Sequence, residues 1–355
     1  MAGNSFGVQF RITTWGESHG PAVGVVVDGC PSGVSLTEEM IQTQLDRRRV
    51  GQSRITSQRN EPDAGRILSG VFEGVTTGAP IHIEIQNKDS RSSSYDAIKN
   101  LYRPGHADYA YTQKYGLRDY RGGGRSSARE TACRVAGGAV ARAFLSRYGM
   151  DVYAHVVKVH DVTAEKFDRG AIEKNEVRCA DTEAAARMVS RILEARDKHD
   201  SVGGVIEVVA LNVPAGLGEP VFDRFDAELA RALMSINAVK GVEIGAGFSA
   251  VEKYGSENND NMRMKDGKPS FLTNNSGGID GGITNGNAIV ARIAVKPTPS
   301  ILEEQQTVTV DGKDTTVSVE GRHDPCVCPR AVPVAEAMTW LVIADHFLRN
   351  RSARA

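Results

Sequence analysis

Aromatic residues and long hydrophobic runs are both scarce in this sequence. Phe, Trp and Tyr make up 6% of the 355 residues, and no run approaches the roughly 18 consecutive apolar residues of a transmembrane helix. The first residues also lack the basic start, apolar block and small-residue cleavage site of a secretory signal peptide. We therefore expect a cytoplasmic protein without a membrane partner. The few aromatics also argue against the stacking surfaces that RNA-binding domains use.

Cysteine is scarce as well, and the net charge is close to zero. Five scattered cysteines, an odd number, favour reduced thiols over a disulfide framework. The pair Cys326 and Cys328 lacks the spacing of a zinc site, and no second Cys/His pair could complete one, so we predict no metal. A net charge of −1 gives the whole molecule no general field that would attract nucleic acid.

Two common phosphate-binding loops, GxGxxG and GxxxxGKS/T, are missing, which argues against a Rossmann dinucleotide site and a nucleoside triphosphatase. Arginine is concentrated instead, because residues 1–150 contain 16 Arg and 3 Lys against 14 acidic residues. A guanidinium group binds carboxylate or phosphate through two parallel hydrogen bonds. Composition alone leaves two interpretations open, a site for a small polyanion or ordinary solvated surface charges.

Hydrophobic patterns predict a mixture of helices and strands. Apolar residues on one helical face predict a helix over 129–147, with Ser127 and Glu130 as its capping box. Ser35 and Glu38 predict a second capping box, for a helix that ends near Arg49. Further helices are predicted over 181–197, 223–240 and 331–348, and strands over 23–27, 203–211, 287–295 and both sides of the turn DGKD. Because helices and strands do not alternate strictly, we predict an α+β fold, with one domain over residues 1–355.

Two histidines lie in loops rich in glycine and arginine. His19 belongs to GESHG at 16–20, and His106 belongs to RPGHAD at 103–108, inside a long polar stretch over 86–127. An imidazole whose pKa is near neutrality can deliver a proton to a leaving group or to a charged ring. A single histidine of this kind is more often an ordinary exposed loop residue, but two of them in similar loops favour a role in proton transfer.

Three further segments carry polar groups in positions suited to ligand binding. In RGGGRSSARET at 121–131, glycines lead into two serines at a helix N-terminus, which is typical of a phosphate or carboxylate site, although a capped helix with a glycine hinge is the alternative. The segment GRHDPCVCPRAVP at 321–333 brings Asp324 and Arg330 together just before the last helix. The loop KPTPS at 296–300 carries a lysine and two hydroxyl groups on a rigid backbone.

Together, GESHG, RPGHAD, RGGGRSSARET, SINAVKG and GRHDPC resemble the signature segments of chorismate synthases. The resemblance runs from the N-terminus through the last helix and is weakest around 150–202. It implies helices sandwiched between antiparallel sheets and a homotetramer. It also implies that 5-enolpyruvylshikimate 3-phosphate loses phosphate from C3 and a hydrogen from C6 to give chorismate. Reduced FMN is the implied cofactor, without net redox change, and NADPH is a candidate reductant of that flavin.

The resemblance further implies roles for individual residues. His19 resembles the acid that protonates the departing phosphate, His106 the group that protonates or stabilises reduced flavin, and Asp324 the group that helps to remove the C6 proton. Ser18 and Ser127 are candidates for relaying protons. The implied FMN-binding residues are Arg125, Ser126, Ser127, Asn237, Ala238, Gly281, Lys296, Pro297, Thr298, Pro299, Ser300 and Arg322. Arg48 and Arg54 match positions that hold a nicotinamide nucleotide, and they could instead hold substrate, as could Arg129.

Departures from the family pattern are few. Trp15, Val50 and the step Cys328–Pro329 stand where the family commonly has other residues, and none of them removes a candidate catalytic group. Two alternative functions remain open. One is a flavin-dependent oxidoreductase that acts on an anionic substrate, and the other is a non-catalytic protein that binds a polyanion through its arginines.

Overall fold

The computed structural model describes residues 3–57, 61–88, 98–319 and 323–354. The helices are α1 (Glu38–Arg48), α2 (Asp108–Tyr115), α3 (Thr131–Leu145), α4 (Thr182–Asp197), α5 (Phe225–Met234), α6 (Gly255–Asn258) and α7 (Cys328–Asn350). The strands are β1 (Ser5–Phe6), β2 (Arg11–Gly16), β3 (Ala22–Asp28), β4 (Gly65–Ile67), β5 (Val71–Phe72), β6 (Val75–Thr76), β7 (Ile81–Gln86), β8 (Asp151–Val159), β9 (Val162–Thr163), β10 (Gly204–Leu211), β11 (Val239–Ile244), β12 (Met262–Lys265), β13 (Lys268–Phe271), β14 (Ile279–Asp280), β15 (Ile283–Thr284), β16 (Ile289–Val295), β17 (Gln305–Val308) and β18 (Asp314–Val317).

Two antiparallel sheets of five strands form the outer layers. The first has the strand order β1-β2-β3-β7-β4, and the second has the order β11-β16-β10-β8-β9. In the first sheet, β3 pairs with β7 from Ala22 opposite Gln86 to Val27 opposite Ile81. The remaining strands form two-stranded pairs, among them β17 and β18 on both sides of the predicted turn. The mixed arrangement confirms the predicted α+β class.

Helices fill the space between the two sheets. Helix α3 packs on β3 of the first sheet and on α1, while α7 packs on β8 and β10 of the second sheet, and α3 and α7 contact each other. The contact between the two helices is close, because a Cβ at Gly138 of α3 would lie 2.5 Å from the Cβ of Ala337 in α7. The side chains of both sheets and of these helices form one continuous hydrophobic core.

Helix α7 is long and apolar enough to cross a membrane by length and composition alone, but 89% of its hydrophobic 18-residue window is buried inside the protein, as in a core helix.

Near the C-terminal end of α7, the carboxylate of Asp345 binds the segment before β2. Its Oδ1 atom accepts hydrogen bonds from the backbone amides of Val8, Gln9 and Phe10, at 2.9, 2.6 and 3.0 Å. The last helix therefore fixes the start of the chain to the core.

Both predicted capping boxes are wrong. The first helix is capped by Thr37, whose hydroxyl accepts from the amide of Met40, whereas Ser35 forms a β-bridge with Val75. At the second site, the Ser127 hydroxyl accepts from the amide of Arg129. The carboxylate of Glu130 turns away to accept from the Thr14 hydroxyl at 2.9 Å and from the Nε atom of Arg134 at 2.7 Å.

Two other predictions on helices differ from the structure. Helix α2 lies inside the stretch 86–127, where no helix was predicted, because its buried residue is the charged Asp108 and it has no apolar face. The helix predicted over 223–240 ends at Met234, since Ala238 adopts a left-handed conformation with φ of 69° and β11 follows directly. The other predicted helices and strands are present.

A buried ion cluster joins α1 to the start of α3. The carboxylate of Asp63, which is fully buried, accepts from Nη1 of Arg48 at 2.8 Å and from the guanidinium of Arg129. Arg48 also donates to the Thr131 hydroxyl at 3.0 Å and to the carbonyl of Ala128 at 2.5 Å. Burial by itself would raise the pKa of Asp63, but the two arginines outweigh it and hold that pKa below its usual range. Burial and the neighbouring arginines lower the pKa of Arg48 to about 10, so it stays charged near neutral pH.

We expect Asp63→Asn to lower the free energy of unfolding by about 3–5 kcal/mol at pH 7, because two buried guanidinium groups would lose their counter-charge. The native pKa lies below the unfolded one, so this stabilisation is present above the unfolded pKa and is lost as pH falls through the native pKa. Urea denaturation of the wild type and the variant at pH 7 and in acid measures the difference between their free energies of unfolding. This difference should be smaller in acid. Asp46→Asn, at a half-exposed position of α1, is the control and should change stability by less than about 0.5 kcal/mol.

Asp345→Ala should destabilise the protein by about 3 kcal/mol, because three backbone amides would lose their charged acceptor and the amide of Phe10 is buried. Denaturant unfolding measures this change, and amide hydrogen exchange at Val8, Gln9 and Phe10 should accelerate. The control is Asp197→Ala at the exposed end of α4, which should have little effect. Equal stabilities of the two variants would contradict the role assigned to Asp345.

Candidate functional site

His19 lies in a tight turn between β2 and β3. The amide of Gly20 donates to the carbonyl of Glu17 at 3.1 Å and closes the turn. The hydroxyl of Ser18 lies 3.1 Å from Nδ1 of His19. The ring packs directly on residues 121–127, which we call the glycine-rich loop. A Cβ at Gly122 would lie 2.1 Å from the same Nδ1 atom. The sequence therefore needs glycine at 122 to admit the imidazole.

The glycine-rich loop is fastened to β2 by Arg125. Its guanidinium donates to the Thr14 hydroxyl at 2.6 Å and to the carbonyl of Gly16 at 3.0 Å. The next residue, Ser126, accepts at its carbonyl a hydrogen bond of 2.8 Å from the side-chain amide of Asn237. Two segments predicted to bind FMN, 125–127 and 237–238, are thus in contact.

A cavity of about 760 Å³ opens beside this loop. Its lining residues include Glu17, Tyr111, Tyr115, Gly122, Gly123, Arg125, Ser126 and Asn237. The Oδ1 atom of Asn237 is buried and has no hydrogen-bond partner among the described residues. A buried acceptor without a partner fits a ligand that supplies a donor. Sequence analysis did not identify the two tyrosines, although their spacing of four residues after PGHAD is the signal that places both rings on one face of α2.

His106 is held by hydrogen bonds at both ring nitrogens. Its Nδ1 lies 3.0 Å from the carbonyl of Pro104, and its Nε2 lies 2.7 Å from the hydroxyl of Ser300. A carbonyl can only accept, so Nδ1 carries the proton and Nε2 of the neutral ring accepts from Ser300. Burial, and then the positive charge of Arg103, lower the pKa of His106 to about 4. The imidazole is therefore neutral near pH 7.

The loop at 296–300 connects His106 to the segment 237–238. Lys296 donates from Nζ to the carbonyl of Gly105 at 3.0 Å and from its backbone amide to the carbonyl of Ala238 at 2.9 Å. The hydroxyl of Thr298 is buried and has no partner among the described residues. This second atom without a partner, together with the Lys296 ammonium, fits a polar, negatively charged ligand. Pro297 and Pro299 shape the loop between these groups.

One predicted FMN-binding residue, Gly281, stands apart from this group in the hydrogen bonds of the described residues. Gly281 lies at the turn between β14 and β15, and among the described residues we find no hydrogen bond that links it to His19 or His106. Arg322 lies outside the described residues.

Asp324 lies just before α7 in a separate, buried group of charges. One of its carboxylate oxygens accepts from the amide of Ser57 at 2.7 Å, and the other contacts the guanidinium of Arg330. Arg330 also donates from Nε to the carbonyl of Arg48 at 3.3 Å, which links this pair to the cluster around Asp63. Sequence analysis placed Arg330 in the same segment as Asp324 but did not identify Asp63.

The three arginines predicted to bind nucleotide or substrate lie in different surroundings. The guanidinium groups of Arg48 and Arg129 are enclosed, and both bind Asp63. Arg54 is exposed, with 64% of its side chain accessible, and donates to Glu176 at 3.2 Å. It lines another cavity of about 800 Å³ beside α4. The structure therefore brings Arg48 and Arg129 together and keeps Arg54 apart from them.

Asn87 connects the Asp63 cluster to the His19 turn. Its Oδ1 atom accepts from Nε of Arg129 at 2.7 Å, and its Nδ2 atom donates to the carbonyls of Glu17 and Gly20. His323, next to Asp324, contributes to the lowered pKa of His106. Hydrogen bonds thus connect the turn of His19 to the Asp63 cluster, and that cluster to the pair formed by Asp324 and Arg330.

Comparisons with known proteins identify the family of this chain. A family model described as chorismate synthase matches residues 10–348. A chorismate synthase from Methanosarcina mazei is 58% identical over 99% of this chain and 97% of its own length, and one from Chloroflexus aggregans is 57% identical over 100% and 98%. A crystal structure of a chorismate synthase superimposes with a TM-score of 0.79 at 35% identity, covering 97% of this chain and 93% of that one. Since these matches extend over nearly all of its residues, the chain belongs to the chorismate synthase family.

Proposed function

We propose that this protein converts 5-enolpyruvylshikimate 3-phosphate to chorismate with reduced FMN as its cofactor. Family membership makes it a lyase of the shikimate pathway, in the biosynthesis of aromatic amino acids, that uses a reduced flavin. The observation that supports the proposal most directly is that hydrogen bonds link the turn of His19 and the carboxylate of Asp324 to one cluster of buried arginines.

The residues that would hold FMN supply complementary groups. Ser126, Asn237 and Thr298 offer polar atoms at the cavity and its adjoining loop, and Lys296 offers a positive charge for a phosphate or a reduced ring. The proposed set is completed by Arg125, Ser127, Ala238, Gly281, Pro297, Pro299, Ser300 and Arg322. These residues would hold reduced FMN, which when bound would lend an electron transiently and take it back, so that phosphate could leave without net redox change.

The two histidines are suited to different proton transfers. The ring of His19 is oriented by Ser18 and by its contact with Gly122, and we assign it the proton donated to the departing phosphate. His106 is neutral in the ligand-free protein because burial and Arg103 lower its pKa. A nearby anion favours the charged form of an imidazole, so a bound reduced flavin would raise the pKa of His106 and allow this residue to take up a proton.

Asp324 is assigned to removal of the C6 proton. The Ser57 amide and Arg330 hold its two oxygens in place, on the same side of the molecule as the Asp63 cluster. Arg48, Arg129 and Arg330 contribute three positive charges to this region, against the two carboxylates of Asp63 and Asp324. The remaining positive charge supports binding of a substrate that carries two carboxylates and a phosphate.

The nicotinamide nucleotide is a further proposal. Arg54 faces solvent, so its guanidinium is accessible to the phosphate of NADPH or to substrate. The guanidinium groups of Arg48 and Arg129 already bind Asp63, which favours a role in holding the site together over direct contact with a nucleotide. NADPH would then serve as a reductant of the flavin.

We also propose that the chain is one domain and forms a homotetramer in the cytoplasm, without nucleic acid or membrane partners. The continuous core between the two sheets supports a single domain. Large exposed apolar side chains, among them Phe222, Phe248, Tyr254 and Met264, support a subunit interface. All five cysteines are buried free thiols, which is typical of a reducing compartment.

With pre-reduced FMN under anaerobic conditions, many turnovers should release chorismate and phosphate in equal amounts while the flavin stays reduced. The elimination involves no net redox change, so flavin absorbance should stay constant as phosphate accumulates. Flavin oxidised in step with product would favour the alternative, an oxidoreductase that acts on an anionic substrate. Replacing the chemical reductant by NADPH alone tests whether this chain reduces its own flavin.

His19→Ala and His106→Ala should each lower kcat about 10- to 1000-fold, the usual range for general acid–base groups. Asp324→Asn should have a similar effect while reduced FMN still binds, as measured by its absorbance change. Steady-state release of phosphate gives kcat for each variant. His160→Ala, at a ring that is 57% exposed, is the matched control and should turn over like the wild type. Unchanged turnover in a His19 or His106 variant would refute the role given to that residue.

A further inference from the structure

The side-chain amide of Asn87, directly after β7, braces both ends of the turn that carries His19. Its Nδ2 atom donates to the carbonyl of Glu17 at 3.0 Å and to that of Gly20 at 2.8 Å. Its backbone amide donates to the carbonyl of Pro21 at 3.0 Å. The two carbonyls held by the side chain flank Ser18 and His19, so one amide group fixes the backbone on both sides of the histidine.

Arg129 determines which way this amide points. Its Nε atom donates to Oδ1 of Asn87 at 2.7 Å. A guanidinium can only donate and a carbonyl can only accept, so the oxygen of Asn87 must face Arg129 and its nitrogen must face the turn. Arg129 in turn is bound to Asp63. The buried ion cluster therefore orients the amide, and the amide orients the turn.

We propose that Asn87 is a positioning residue of the reaction, which holds His19 where it can protonate the leaving phosphate. The inference rests on the role proposed above for His19. Nothing in it requires Asn87 to touch substrate or flavin, because Asn87 acts through the backbone of the turn. Proton transfer depends steeply on the position of the donor, and a shift of about 1 Å can cost 100-fold in rate.

The test uses Asn87→Asp, which has the same shape. The substituted carboxylate still accepts from Arg129, but it turns an oxygen towards the carbonyls of Glu17 and Gly20 and releases the turn. We expect kcat to fall about 10- to 100-fold, with KM and the affinity for reduced FMN changed less than about threefold. Asn87→Ser removes the amide without adding charge, and should lower kcat in the same way. Wild-type kcat in both variants would overturn the proposal.

A double-mutant cycle separates positioning of His19 from a general structural effect. If Asn87 acts through His19, then adding Asn87→Asp to His19→Ala should leave kcat at the value of His19→Ala alone. The inference about Asn87 would be overturned if Asn87→Asp lowered kcat by the same factor in the His19→Ala protein as in the wild type. Wild-type turnover in His19→Ala itself would instead refute the proposed role of His19, so the two failures are distinguishable.

Asn275 offers a matched control elsewhere in the chain. Its Nδ2 atom also donates to two carbonyls, of Glu257 at 3.4 Å and Asn258 at 3.1 Å, and its Oδ1 accepts from the cation Lys253 at 2.7 Å. Asn275→Asp therefore makes the same chemical change in a similar setting. It should keep kcat within about twofold of the wild type. An equal loss of kcat in the two variants, with equal shifts in Tm, would overturn a specific role for Asn87.

Discussion

The carboxylate of Asp63, enclosed between the guanidinium groups of Arg48 and Arg129, is the interaction on which the rest of the site depends. A buried ion pair adds little net stability, but loss of one member leaves an uncompensated charge inside the protein. Hydrogen bonds from Arg129 to Asn87, and from Asn87 to the carbonyl of Gly20, connect the cluster to the turn that carries His19. Through the carbonyl of Arg48 it also reaches Arg330, and hence the other candidate group, Asp324.

The excess of arginine has two effects that oppose each other at His106. Cations near the site attract an anionic substrate, and one of them, Arg103, also lowers the pKa of the imidazole. Asp108 accepts from Arg103 and Arg118, and it offsets this effect only in part. A bound anion would neutralise the local charge. Under the proposed function, the protonation of His106 would therefore depend on whether an anionic ligand is bound.

Sequence patterns predicted the elements whose stability comes from local apolar contacts. Helix α3 was predicted because its apolar side chains recur on a helical period. Helix α2 was not predicted, because its buried side chain is Asp108, and a carboxylate is buried there only through pairing with two arginines. The capping box at Ser127 failed for a related reason. Glu130 finds its partner Thr14 more than a hundred residues away.

The sequence predicted some residues of the candidate site and missed others. Motifs containing His19, His106 and Asp324 could be read directly, since each lies in a distinctive short segment. Asp63 was not identified, because nothing in its immediate sequence distinguishes it from an ordinary loop carboxylate. Arg48 and Arg54 are close in sequence, yet one is enclosed and the other faces solvent. Such differences depend on which distant elements pack around each residue, which local patterns do not record.

The hydrogen bonds from the amides of residues 8–10 to Asp345 have a consequence for how the chain folds. Ribosomes make the first sheet early, but the carboxylate that anchors its leading segment emerges only with the last helix, more than three hundred residues later. Contacts of such separation in sequence form slowly and leave partly folded chains exposed to aggregation. Asp324 lies four residues before the same helix, so the carboxylate that anchors residues 8–10 and the proposed base are both synthesised well after the first sheet.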